Sequence, residues 1–205
     1  LVHTFARLER DGTLPNTLHG GDDSNRETSD APLWFGLVCE ELADEKGESV
    51  YTEIVGDRRS LLDVLASIGA SYRDGTPNRI RMDSASGLIW SPSHFTWMDT
   101  NHPAGTPREG YPIEIQALWI RLLRQLNRLQ PEANWGALAE LATDSLHKYY
   151  WLEGTPWLAD VLIADSTQSA AEAQVDTVLR CNSLIAVALG VVDGTHARQT
   201  VGDAR

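Results

Sequence analysis

A carboxylate among aromatic residues is the first group in this sequence that could do acid–base chemistry. It is Asp99, the last residue of a Thr-Trp-Met-Asp run at 96–99, and Trp90 and Phe95 precede that run. Desolvation among aromatic rings raises the pKa of a carboxyl group, which can then stay protonated near neutral pH and act as a general acid. The other interpretation is that Asp99 caps a turn, and the spacing alone leaves both open.

Three further charged side chains lie on either side of Asp99: Asp83, Arg108 and Glu114. The pair Arg108 and Glu114 predicts a salt bridge that fixes the end of a loop. The alternative is that both side chains hydrogen-bond sugar hydroxyl groups, because charged groups form stronger hydrogen bonds than neutral ones.

A second candidate site lies at Asp30, which directly precedes an Ala-Pro pair at 31–32. Asp at a helix N-cap followed by Pro in the first turn is a typical helix start. The same acid would face a cleft if this helix end lies on the functional rim. Trp34, one turn later, and Trp97 are either core residues or platforms on which a pyranose ring stacks.

These residues need helices to position them, and apolar residues recur at helical spacing over most of the chain. The exception is the segment 75–112, which has no helical period and is long enough to indicate a functional loop. The predicted elements are helices at Val2–Leu8, from the Ser29–Pro32 start to Gly47, at about Val50–Tyr72, Ile115–Leu129, Leu138–Tyr149 and about Asp176–Leu189, with a short strand within Leu158–Ile163. The arginines at 121, 124 and 128 are predicted to form a solvent-facing stripe.

This pattern predicts an all-α fold of stacked helical hairpins, in which one rim carries long functional loops. A closed toroid of six hairpins needs about twelve helices, and roughly six are predicted from this sequence. The chain, residues 1–205, is therefore expected to be a single partial domain that supplies about half of a toroid. Its start without Met agrees with a fragment.

Composition narrows the classes of partner. A formal net charge of −12 disfavours nucleic acid and anionic membranes, which need clustered Lys and Arg. No apolar run approaches the roughly 20 residues of a membrane helix. Seven tryptophans favour a neutral carbohydrate ligand instead.

The cysteine and histidine pattern argues against a metal site. Cys39 and Cys181 lie in apolar helical patterns, which predicts two reduced thiols in the core. The six histidines are scattered without ligand spacing. We therefore expect no metal, no cofactor and a cytoplasmic location.

Five segments occur in an order that resembles the amylo-α-1,6-glucosidase domain of glycogen debranching enzymes, glycoside hydrolase family 133. They are Pro15-Asn16, Thr28–Phe35, Thr96–Asp99, Thr106–Gly110 and Ile113–Trp119. The resemblance covers about residues 1–189. It implies an (α/α)6 barrel similar to glucoamylase, of which about half would be present here.

The resemblance also implies roles for the candidate residues. Asp99 would be the general acid that protonates the α-1,6-glycosidic oxygen in an inverting hydrolysis of glycogen or a related branched α-glucan. Asp30 and Trp34 would line the glucose subsite, and Arg108 and Glu114 would shape it. The predicted substrate-binding residues are Asp30, Trp34, Asp83, Trp97, Arg108 and Glu114.

The general base of the family would lie beyond Arg205, so the chain alone is expected to have little or no hydrolase activity. The alternative function is a non-catalytic carbohydrate-binding protein, or an inactive fragment, on the same α/α toroid. A third hypothesis is a sugar epimerase or isomerase, which would need cavity-facing histidines such as His94 and His102.

Overall fold

The computed structural model describes residues 1–56, 58–98, 107–152, 154–155 and 157–203. Helices are the longest elements in these ranges. They are α1 (Val2–Leu8), α2 (Ala31–Lys46), α3 (Leu61–Asp74), α4 (Ile113–Leu129), α5 (Trp135–Tyr150), α6 (Asn182–Ala188) and α7 (Gly194–Asp203), with 3-10 turns at Glu48–Thr52, Pro131–Ala133 and Ala170–Glu172. The prediction of a helix-rich fold is confirmed.

Within the described ranges, three small antiparallel sheets accompany the helices, and an all-α prediction does not include them. Their strands are β1 (Ile54–Gly56) with β2 (Arg59–Ser60), β3 (Arg81–Met82) with β4 (Ile89–Trp90), and β5 (Gly110–Pro112) with β6 (Val161–Ile163) and β7 (Gln174–Asp176). Strands of two or three residues are too short to show an alternating pattern. The predicted strand within 158–163 is confirmed as β6, which lies between β5 and β7.

Helix α4 is the centre of the core. Residues 113–120 are buried on every side, and α4 packs against α2, α3, α5 and α6. A helix that is buried all round its first turns is typical of a central element of the core, and two of these buried positions, Glu114 and Gln116, are polar. The predicted arginine stripe lies in the C-terminal half of α4, where Arg124 and Arg128 are exposed. Arg121 is half-buried and pairs with Glu40 of α2 at 2.7 Å.

The predicted start and end of α2 are confirmed. Asp30 occupies the N-cap position, Pro32 lies in the first turn, and Gly47 ends the helix with φ of +93°. The prediction for the next helix is wrong at its start, because α3 begins at Leu61 rather than near Val50. Residues 48–52 form a 3-10 turn and residues 54–56 pair with 59–60 as β1 and β2 instead, and Ser60 then caps α3.

Two other predicted segments differ from the structure. The segment 75–112 holds the β3–β4 hairpin and begins β5, so its described part is less irregular than expected. The last predicted helix, 176–189, is shorter: residues 174–176 pair with β6, and α6 spans only Asn182–Ala188. Among the described residues, no helix combines the length and apolarity needed to cross a membrane.

Candidate functional site

A cavity of about 470 Å³ opens between α1, the start of α2 and residues 96–97. Its wall is mainly apolar, and it contains three of the predicted site residues, Asp30, Trp34 and Trp97. Trp97 follows Asp30 by 67 positions in the chain. The structure brings the three residues to one cavity, although their positions in the sequence did not directly indicate that they are close.

Asp30 lies at the N-terminus of α2 and is 9% exposed. Its side chain makes no capping hydrogen bond to the helix; the Thr28 hydroxyl instead donates to Asp30 Oδ1 at 2.6 Å and accepts from the backbone N–H of Ala31 at 3.2 Å. Thr28 rather than Asp30 therefore supplies the side-chain hydrogen bond to the first turn of α2, and Asp30 is among the residues that line the cavity. The positive end of the helix dipole stabilises a negative charge at this place.

The start of α2 is joined to the segment before Trp97. The backbone N–H of Ser29 donates to the carbonyl of Phe95 at 2.6 Å, and the hydroxyls of Ser29 and Ser91 lie 2.7 Å apart. Tyr72 of α3 donates its hydroxyl to the Ser29 carbonyl at 2.8 Å. These contacts fix both sides of the cavity to one another.

The two cavity tryptophans differ in exposure. Trp34 is half-buried in the first turn of α2, whereas Trp97 is 52% exposed. The indole Nε1–H of Trp97 donates to Oδ1 of Asn182 at 3.0 Å. One edge of this ring is therefore anchored while much of its surface faces solvent.

Arg108 and Glu114 form the salt bridge that was one of their two predicted interpretations, and both side chains are buried. Arg108 Nη2 donates to Glu114 Oε2 at 2.7 Å, and its Nη1 also pairs with Oε1. Burial alone would lower the pKa of Arg108, but the hydrogen bonds and charges of Glu114 and Asp160 raise that pKa above its ordinary value. Burial raises the pKa of Glu114, and the adjacent guanidinium opposes this shift.

Asp160 joins Arg108 and Glu114 in a buried cluster that also includes Arg180 and Asn182. Asp160 was not singled out in the sequence analysis. It is 1% exposed and accepts from Arg108 Nε at 3.0 Å, from Arg180 Nη1 at 3.1 Å and from Asn182 Nδ2 at 2.7 Å. Asp160 directly precedes β6, whose pairing with β5 brings it beside Arg108. Residues 108 and 160 have no local spacing that could have indicated the contact.

The cluster reaches the cavity at two points. Arg108 Nη1 donates to the Thr96 hydroxyl at 3.1 Å, and Asn182 accepts from the Trp97 indole. Thr96 and Trp97 both line the cavity. The buried charges therefore support the cavity wall from behind, and Glu114, at 0% exposure, is not itself on that wall.

Asp83 lies in a different cleft. It closes the turn between β3 and β4, where its Oδ2 accepts from Ser86 Oγ at 2.6 Å and from the backbone N–H of Ala170 at 3.2 Å. The cleft it lines also contains Arg81, Tyr111 and Glu172, and none of the cavity residues. The structure does not bring Asp83 together with Asp30.

Asp99 and His102 lie outside the described residues, so neither receives a structural account. Within the described ranges, no group of three or more His, Cys, Asp and Glu side chains could hold a metal ion. A mainly apolar cavity with two indole rings and a carboxylate suits a neutral ligand that has both apolar faces and hydroxyl groups.

A sequence model described as amylo-alpha-1,6-glucosidase matches residues 1–202. The comparison with curated proteins gave no match. The family match covers nearly the whole chain, including the start of α2, residues 96–98 and the buried cluster.

Proposed function

Since the chain belongs to the amylo-α-1,6-glucosidase family, we propose that it hydrolyses α-1,6 branch points of glycogen or a related α-glucan as part of a debranching-type catalytic domain. The main observation behind the proposal is that Asp30, Trp34 and Trp97 line one cavity, and all three lie within the residues that match the family. The substrate follows from the family, and the cavity supplies surfaces that fit a glucosyl ring.

We assign Asp99 as the general acid that protonates the glycosidic oxygen. It follows Trp97 by two residues, and the Thr96 and Trp97 side chains line the cavity. Proton donation to a leaving oxygen requires a carboxyl group whose pKa is raised, and aromatic neighbours raise it by desolvation.

The remaining residues take supporting roles in this proposal. Asp30 accepts hydrogen bonds from sugar hydroxyls, and Trp34 and Trp97 contact the faces of the glucosyl ring. Arg108 and Glu114 shape the pocket through Thr96 without touching the sugar, because both side chains are buried against each other. Asp83 stabilises the β3–β4 turn.

We further propose an inverting mechanism and an (α/α)6 barrel. Inversion needs a second carboxylate about 6.5–9.5 Å from the acid, with a water molecule between that base and the sugar. The pairing of α4 with α5, joined by the short turn at Pro131–Ala133, supports a fold built from helical hairpins.

The test measures glucose release from a limit dextrin that carries single α-1,6-linked glucose stubs, with the protein expressed in its full reading frame. Asp99→Asn should lower kcat by roughly 10²–10⁴-fold, the usual contribution of a general acid. The matched control is Asp144→Asn, on the exposed side of α5, which should retain activity. Glucose release that is absent in the wild type, or unchanged in Asp99→Asn, would overturn the assignment.

The stereochemistry has its own measurement. Proton NMR during the first minutes of the reaction should show β-glucose before mutarotation produces the α-anomer. Initial release of α-glucose would show retention and contradict the inverting proposal while leaving the substrate assignment in place.

A second function is favoured by one observation, the 52% exposure of Trp97 on the cavity wall. A half-exposed indole also suits a carbohydrate-binding protein without catalysis. Saturable binding of branched oligosaccharides with no glucose release from the full reading frame would favour this function over hydrolysis.

A further inference from the structure

Both oxygens of the Asp160 carboxylate are occupied by donors. Oδ1 accepts from Asn182 Nδ2 at 2.7 Å and from Arg108 Nη2 at 3.2 Å. Oδ2 accepts from Arg108 Nε at 3.0 Å and from Arg180 Nη1 at 3.1 Å. With four donors on a side chain that is 1% exposed, Asp160 has one available orientation.

The contacts of Asn182 determine how its amide group is turned. A carboxylate only accepts hydrogen bonds, so the NH₂ group of Asn182 must face Asp160. An indole N–H only donates, so the amide oxygen must face Trp97, as it does at 3.0 Å. Asp160 thus selects the amide orientation that presents an acceptor to Trp97, and Asn182, at 0% exposure, has no solvent with which to exchange these partners.

We propose that Asp160 is a positioning residue that, through the Asn182 amide, holds the Trp97 indole as a platform for a glucosyl ring. The sugar in this statement rests on the proposed function, whereas the hold on Trp97 does not. Trp97 is half-exposed and would otherwise be able to change its side-chain rotamer. A ring that is already fixed loses less conformational entropy when the sugar binds.

Charge balance is the competing explanation for Asp160. Arg108 and Arg180 both contact it, and a carboxylate that only neutralised them would be purely structural. The two explanations differ in one measurable respect, because charge balance does not require Trp97 to respond when Asp160 is changed. Arg180 also contacts the carboxylate of Asp176 at 2.6 Å, so its charge has a partner besides Asp160.

The first experiment observes the indole N–H signals in a ¹H–¹⁵N spectrum of the folded protein, with the Trp97 signal identified by its loss in Trp97→Phe. Asp160→Asn retains the size of the side chain but replaces one acceptor with a donor. The Trp97 signal should shift and its hydrogen should exchange faster with solvent. An unchanged Trp97 signal in folded Asp160→Asn would overturn the proposal.

A second variant covers the case in which Asp160→Asn does not fold. Asn182→Leu keeps both arginine contacts of Asp160 and removes the acceptor from Trp97, so it should give the same change in the Trp97 signal. The matched control is Asp176→Asn, the same chemical change at a residue whose side chain contacts Arg180 and lies two contacts further from Asn182 than Asp160 does; it should leave that signal in place. A Trp97 signal that Asn182→Leu leaves unchanged, or that moves as far in Asp176→Asn as in Asp160→Asn, would overturn the proposal.

Kinetics with the limit dextrin separate this proposal from the proposed function. Loss of a held platform should raise KM about five- to tenfold in Asp160→Asn and Asn182→Leu, with kcat changed much less. A shifted Trp97 signal in a protein whose wild type neither binds nor cleaves the glucan would support the positioning and overturn the function. If the wild type cleaves the dextrin but the variants change neither KM nor the Trp97 signal, the proposed function is supported and the positioning role of Asp160 is overturned.

Discussion

Arg108 and Glu114 form a buried ion pair across β5, with side-chain exposures of 1% and 0%. Arg108 has a left-handed backbone, with φ of +49°. The strand Gly110–Pro112 follows, and Glu114 lies in the first, buried turn of α4. Two parallel hydrogen bonds match the guanidinium fork to the carboxylate, and the other side of the fork contacts Asp160. The planar guanidinium group can donate hydrogen bonds to both carboxylates at once, whereas a lysine ammonium group lacks this geometry.

Arg108→Lys should therefore destabilise the protein although the charge is retained. The ammonium group cannot satisfy Glu114, Asp160 and Thr96 together, and at least one buried carboxylate is left short of donors. We expect the free energy of unfolding to fall by roughly 3 kcal/mol, measured by chemical denaturation.

The control for this variant is Arg73→Lys, which makes the same substitution in an exposed pair. Arg73 contacts Asp74 at 2.7 Å, with 41% of its side chain exposed. Exposed ion pairs contribute little, so the loss should stay below about 1 kcal/mol. Equal losses in the two variants would show that the buried fork has no special role.

Gly110→Ala should disrupt the β5–β6 pairing. Gly110 has φ of +124°, and a Cβ there would collide with the Leu162 carbonyl and lie 2.7 Å from the backbone nitrogen of Ala164. We expect a loss of roughly 2–3 kcal/mol beyond that of a control glycine, because backbone atoms cannot move aside as a side chain can.

Gly75→Ala is the matched control for Gly110→Ala. Gly75 has a similar φ of +107°, but no atom lies within 4 Å of a Cβ built there. The two variants share the backbone strain and differ in the collision. Thermal unfolding that gives the same melting temperature for both would contradict the proposed steric cause.

The parts of the fold that the sequence predicted are local. Helix α2 has its Pro32 start and Gly47 end within 16 residues, and α4 ends just before Pro131. The β5–β6 pairing joins residues about fifty positions apart through strands of three residues, which are too short to show an alternating pattern in the sequence. The late start of α3 had two local signals, the Ser60–Asp63 capping box and an apolar stripe that begins only at Leu61, and the predicted start near Val50 missed both.

The candidate site divides in the same way. The ordered motifs pointed to Asp30, Trp34 and Trp97, and the structure places them in one cavity. Asp160 contacts Arg108 across 52 residues and Asn182 contacts Trp97 across 85, and a single sequence cannot indicate such pairs. Asp83 was included because it lies within the loop segment 75–112, yet its carboxylate closes a turn in another cleft.

The capping box of α3 gives a prediction with a pH dependence. Ser60 and Asp63 exchange hydrogen bonds, and those bonds, from the Ser60 side chain first, lower the pKa of Asp63. A depressed carboxyl pKa adds stability above the unfolded pKa of about 3.9 that disappears as the pH falls through the folded value. Ser60→Ala should cost about 1 kcal/mol at pH 7, and less at pH 3.

Ser49→Ala is the control for Ser60→Ala, since Ser49 is an exposed serine in the neighbouring 3-10 turn. Its effect on unfolding by denaturant should be small at both pH values. A Ser60→Ala loss that stays constant between pH 7 and pH 3 would contradict the role of the Asp63 carboxylate.

The two cysteines should differ in reactivity. Cys39 is 0% exposed, and burial raises its pKa to about 12, whereas Cys181 is exposed. Thiolates are the reactive form, so native protein at pH 8 should consume about one equivalent of a thiol reagent and unfolded protein two. Native Cys181→Ser should react only on unfolding; fast reaction of that variant would contradict the burial of Cys39.

The hydrogen bond between Trp97 and Asn182 also bears on the order in which parts of the protein fold. It closes a loop of 85 residues, the longest separation among the site contacts, while α3 and the α4–α5 hairpin form from neighbours in the chain. Closing long loops costs entropy before any contact compensates it. We expect the hairpins to form first and the cavity beside Trp97 to form last, so that a newly made chain is helical before its proposed glucan-binding surface is complete.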